Sequence, residues 1–196
     1  MLIENISPIG WLHTIACLVA LAAGAWNLVM PKGTAMHRLV GRTYFYTMLV
    51  VNLSVFAIYR FDIAHFRPFV AGANTFGLFH REAVATLLVL LLGVYAAPRQ
   101  QHAVWAYVHP LSMLTTYYML IGGLINEAFV RITALRAVVR AQAHGPNDFF
   151  ATHAVGMAQG SAMLLFVVLF LYFIVKVALY RRGARKAAEI DTASPA

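Results

Sequence analysis

Eight histidines stand in this chain of 196 residues, and five of them fall where an imidazole is costly to keep without a use. His13, His80 and His153 each follow a helix-capping residue by six positions, the caps being Ser7, Asn74 and Asn147. Equal offsets from equal helix starts put three imidazoles at one depth, about 9 Å inside at 1.5 Å rise per residue. Ionisable groups inside apolar helices are expensive and face the bundle interior, paired or functional. A carboxylate joins the set. His109, Met113, Thr116, Leu120, Gly123 and Glu127 recur in steps of three and four, which is one helix face. Three imidazoles and a carboxylate (His13, His80, His153 and Glu127) suit a divalent transition metal, zinc most simply. Two of the same histidines suit the axial positions of a haem b iron. The competing reading is polar glue, in which these groups bond one another and nearby backbone between helices.

His37 and His109 form a second pair, near the opposite end of the helices. They are candidate axial ligands of another haem. The alternative puts His37, with Arg38 and Arg42, on lipid phosphate and backbone carbonyls. His65, His102 and His144 fall in loops and read as solvated side chains. Cys17 is the single cysteine, so no disulfide framework exists within one chain, and inside an apolar run it reads as a small packing residue. The chain has no GxSxG, HExxH, CxxCH or GxxxxGK[ST] motif.

Helices must carry these residues, and the composition says in what solvent. The chain is 61% hydrophobic and 11% charged, with a mean hydropathy of +0.72. So few charges cannot cover a water-exposed surface, and an all-α, polytopic transmembrane helical bundle follows. About 20 apolar residues cross a bilayer core. Five stretches qualify: 8–30, 35–59, 75–97, 103–130 and 148–180. Ser7 caps the first, with Pro8 at its first turn. Asn74 caps the third, which Pro98 ends, and Asn147 caps the fifth. Residues 1–180 form a single transmembrane bundle and 181–196 a polar, frayed cytoplasmic tail. Residues 131–144 alternate apolar positions with Arg131, Arg136 and Arg140. They read as a short amphipathic helix on the membrane surface or an extension of the fourth span.

Lysine and arginine set the orientation. The turns 31–42 and 98–102 and the C-terminal region hold nine cations against two acids. The other end holds six against five. The basic end is therefore read as cytoplasmic, the N-terminus as outside, and the membrane as the bacterial inner membrane. The net charge of +8 fits an anionic phospholipid partner at the basic turns. It does not point to nucleic acid, because no basic patch interleaves with aromatics. The first ten residues lack the basic start of a cleavable signal, so the first helix reads as retained.

The run from Leu12 to Tyr44 resembles the start of the bacterial membrane-protein family known as domain of unknown function 2306 (DUF2306). That family has a histidine in its first span and KGTxxHRxxGRxY opening its second. The matching positions are His13, Lys32, Gly33, Thr34, His37, Arg38, Gly41, Arg42 and Tyr44. His109 to Phe129 is similar to the family's fourth span, through His109, Met113 and Glu127. The resemblance covers about residues 10–130 and implies a polytopic membrane protein without implying an activity. Three functional expectations follow from the residues. The first is an outer-side metal or haem site. The second is a non-enzymatic subunit or assembly factor with structural histidines. The third is a proton-coupled transporter, since buried His and Glu relay protons.

Overall fold

A computed structural model describes residues 7–58, 78–144 and 149–193. Six α-helices account for most of them: α1 (Pro8–Val29), α2 (Ala35–Ile58), α3 (Leu78–Ala96), α4 (Trp105–Arg131), α5 (Thr133–Gln142) and α6 (His153–Ala193). Short 3-10 turns at Ala97–Arg99 and Phe149–Ala151 join α3 to α4 and lead into α6. The described residues contain no strand, and the architecture is an all-α bundle. Five helices are long and apolar enough to cross a membrane: all but α5.

The α1–α2 hairpin forms as its sequence dictates. Gly10 N–H donates to Ser7 Oγ at 3.1 Å, the N-cap expected from the sequence. Ala16, Ala20, Ala23 and Gly24 then make the buried stripe of α1. Small side chains there let α2 approach closely, as in membrane helix pairs generally. From α2 they meet Tyr44, Met48 and Val51, and Leu90 of α3 and Leu120 of α4 complete the core. Gly24 permits the closest approach, for a Cβ there would overlap the ring of Tyr117 on α4.

The pairs α1–α2, α3–α4 and α4–α6 carry most of the packing, with α4 in contact with α1, α3, α5 and α6. At the periphery, α6 packs on α4 through Tyr118 and Phe166, whose rings stack with centroids 4.6 Å apart. Leu164, Leu165, Val168, Leu171 and Val175 of α6 are exposed. An apolar surface of this kind is what a lipid-facing helix presents.

One alternative left open by the sequence is decided, and two boundaries differ from the sequence reading. Ile132 takes an extended conformation between α4 and α5, so α5 is a separate helix, not an extension of the fourth span. The chain past Arg181 continues as helix to Ala193. Its Ala, Arg, Lys and Glu are strong helix formers, so it is not frayed there. Most consequential, α6 begins at His153, because Phe149–Ala151 forms a 3-10 turn instead of helix. Gln142 Oε1 accepts from Ala154 N–H at 3.0 Å and supplies the capping interaction from α5. Asn74, Asn147, Asp148 and the stretch 61–74, with His65, lie outside the described residues.

Candidate functional site

The motif KGTAMHR builds the turn between α1 and α2. Lys32 Nζ donates to the carbonyls of Asn27 and Leu28, capping the end of α1, where a cation also complements the helix dipole. Gly33 has φ +78°, a left-handed conformation that favours glycine. Thr34 Oγ1 accepts from His37 N–H at 3.1 Å and caps α2. Arg38 Nη1 donates to Gly33 O at 2.7 Å. The conspicuous basic residues are thus partly spent on backbone carbonyls. What the turn leaves over is the imidazole of His37.

His37 borders a cavity of about 1650 Å³, well above the roughly 300–1,000 Å³ usual for small-molecule pockets. The cavity lies at the basic end of the bundle, and His109 of α4 lines it as well. Tyr44 and Tyr117 line it too. Lys32, Arg38, Arg42, Lys176 and Arg181 contribute cations, and among the described residues no acid lines it. His37 Nδ1 and Asn27 Oδ1 are buried without a hydrogen-bond partner, and both residues line the cavity. Buried polar atoms are nearly always satisfied, so two orphans on one wall are a feature to explain.

His109 is held differently. Its Nδ1 lies 2.8 Å from Gly93 O on α3. A carbonyl only accepts, so Nδ1 carries the proton and Nε2 keeps its lone pair. This is how proteins orient an imidazole for a metal on its other nitrogen. Gly93 makes the contact possible. A Cβ there would lie 3.0 Å from Met113 Sδ and Ser112 Cβ, so a larger residue would force these neighbours to give by a few tenths of an ångström.

At the opposite end the expected set of His13, His80, His153 and Glu127 does not gather. Among the described residues no three His, Cys, Asp or Glu side chains group closely enough to hold a metal ion. His153 is exposed and is the first residue of α6, not six residues inside it. Glu127 pairs with Arg131 one turn along α4. His80 is buried, 1% exposed, with its ring 5.4 Å from that of Phe56.

His13 is bound within the α1–α2 pair. Ser54 Oγ donates to Val51 O at 2.9 Å, so it accepts from His13 Nδ1–H at 2.8 Å. Nε2 is then the acceptor for the Cys17 thiol, 3.5 Å away. Every polar atom of that imidazole is satisfied, which is the polar-glue arrangement.

Several polar residues drew no attention in the sequence. Gln159 of α6 donates to Asn126 Oδ1 at 2.8 Å and to Gly122 O at 3.1 Å, tying α6 to α4. Glu82 of α3 lies against the Gly122–Gly123 pair, with its Oε1 3.9 Å from where a Cβ would stand on either glycine. The i,i+3 spacing of Asn126 and Gly123 on a helix that already carried a polar face was the available signal. Compared with known proteins, the chain matches no family model, no characterised protein and no solved structure.

Proposed function

We propose that this chain is a multi-pass haem protein of the bacterial inner membrane that holds haem b at its basic, cytoplasmic end, with His109 and His37 as the candidate axial ligands. The observation that carries the reading is His109 itself. Its Nδ1–H is committed to Gly93 O, and its ring borders a cavity shared with the orphaned imidazole of His37. The cations around the same cavity suit the two propionates of a haem, and its aromatic lining suits the porphyrin face. Bound haem would supply one-electron transfer. The chain's own residues would orient the iron ligands, neutralise the carboxylates and keep water from the ring. Membership of the DUF2306 family and contact of the basic turns with anionic phospholipid belong to the same proposal. So does the orientation with the N-terminus outside, which rests on the distribution of lysine and arginine.

The test is a visible spectrum of the full chain, purified in mild detergent from cells supplied with a haem precursor. A Soret band that is lost in His109→Ala and lost or shifted in His37→Ala is the expected result. Colourless, monodisperse protein that also takes up no added hemin sinks the proposal. At the other end, the Ser54–His13–Cys17 chain favours a structural histidine, so His13→Ala should cost stability and leave that band in place.

A further inference from the structure

Lys32 and Lys176 reach one cavity from two separate parts of the fold. Lys32 stands in the α1–α2 turn, with its ammonium 5.8 Å from the centre of the Phe173 ring on α6. Lys176 lies on α6 nearly one turn further along. Its Nζ donates to Tyr172 Oη at 3.2 Å and sits 5.3 Å from that ring. Both ammonium groups thus have aromatic or neutral partners, and among the described residues neither has a salt bridge to an acid. Lys32 and Lys176 are both solvent-exposed; partial desolvation of the Lys32 ammonium at the turn, and then repulsion from Lys176, hold Lys32 below its ordinary lysine range. Like charges brought together beside an apolar wall are unfavourable unless an anion joins them. The same cavity is lined by Phe45, Met113, Leu114, Tyr117 and Phe173.

We infer that Lys32 and Lys176 form a subsite for the acid group of a bound amphiphile, a carboxylate or phosphate carried on a largely apolar body. The inference rests on the reading that this cavity holds a ligand, and it names which two cations meet the ligand's charged end. For haem that end is a propionate, and for a membrane lipid it is the phosphodiester. The chemistry recognised is the same. The anion also links α6 to the hairpin at the cavity rim, where Lys32 already lies over Phe173.

The experiment uses the full chain in mild detergent with four probes: hemin, hemin dimethyl ester, phosphatidylglycerol and phosphatidylcholine. The ester keeps the iron and loses the acids. Wild type should bind hemin about tenfold or more tighter than the ester, as expected for a charge-assisted contact. In Lys32→Gln/Lys176→Gln the two affinities should converge while the Soret position stays in place, because the iron ligands remain. Lys176→Gln alone leaves the turn bonds of Lys32 intact and should lose part of the preference. Arg182→Gln, exposed and outside the cavity, should lose none.

Suppose wild type binds neither porphyrin but retains phosphatidylglycerol over phosphatidylcholine, and the double variant loses that preference. The haem proposal then fails and the subsite stands. A double variant that discriminates as wild type does for both probe pairs overturns the subsite, as does a wild type that discriminates for neither.

Discussion

The Tyr44 hydroxyl donates to Thr116 Oγ1 at 3.0 Å and joins α2 to α4, and Tyr44 also lines the basic-end cavity. The direction follows from Thr116, whose one proton goes to Met113 O at 2.9 Å. Tyr44 is 2% exposed and Thr116 0%, so neither hydroxyl has bulk solvent as an alternative. The pair should respond asymmetrically to mutation. Tyr44→Phe removes a donor and leaves Thr116 bonded to backbone, at a cost of about 1 kcal/mol. Thr116→Val keeps the shape but strands a buried phenol, at about 1–3 kcal/mol. Thermal midpoints in detergent should fall further for Thr116→Val, and a reversed order would refute the assigned direction.

Gly24 should tolerate no side chain. A Cβ there overlaps the Tyr117 ring and stands 3.2 Å from Tyr44 Cε2, and a ring cannot yield as the end of a flexible chain does. Gly24→Ala should destabilise by about 1–3 kcal/mol, the usual cost of overpacking. Gly24→Ala combined with Tyr117→Leu should recover part of it, because the obstructing ring is gone. No recovery in the double variant would place the strain elsewhere.

Gly93→Ala should damage ligand binding more than folding. The added methyl presses on Met113 and Ser112 at 3.0 Å, and the Gly93 carbonyl that orients His109 moves with the helix. Loss of such an orienting bond typically costs about 10–100-fold in affinity for the ligated metal. Hemin titration followed at the Soret band measures it. Affinity equal to wild type, in a variant of unchanged melting temperature, would show that the Gly93 bond does not position the imidazole.

Lys32 gives a pH prediction with a definite sign. Although exposed, its ammonium is held below the ordinary lysine value of 10.5 by partial desolvation at the turn and by the neighbouring Lys176, so the folded chain loses this charge earlier than the unfolded chain does. Stability should therefore gain as pH rises through the depressed folded value towards 10.5. Preference for hemin over its dimethyl ester should decline over the same interval, since the acid end needs the ammonium. Lys32→Gln should flatten both profiles. An unchanged alkaline profile in that variant would assign the effect to another group.

Much of the fold is legible in the chain alone. Crossing a bilayer requires each helix to satisfy its own backbone within one apolar run, and that is a local property. The runs beginning at Pro8 and Ala35 match α1 and α2 to within a residue at either end. Ser7 caps as its side chain predicts. The inward face of α4 is legible only in part: the 3.6-residue period assigns Thr116 and Leu120 correctly, but His109, Met113, Gly123 and Glu127 on the same face are half-buried, while Ser112, Leu114, Gly122 and Asn126 are buried outside it.

What the tertiary structure decided is which histidines share a space. Counting from caps fails at His153, where a 3-10 turn replaces the first expected helical turn and moves the residue from the sixth position to the first. Each residue of slippage turns a side chain by about 100° and shifts it about 1.5 Å, so equal offsets along separate helices do not make a ligand set. His37 and His109, paired in the sequence only by lying near the same end of the helices, border one cavity. Small residues set that outcome: Gly24 leaves room for the Tyr117 ring that lines the cavity, and Gly93 brings its carbonyl to His109. Apolar runs and caps determine that these helices span. Contacts between residues far apart in the chain determine how the helices are rotated and spaced, and so which imidazoles are satisfied and which are left with a nitrogen free.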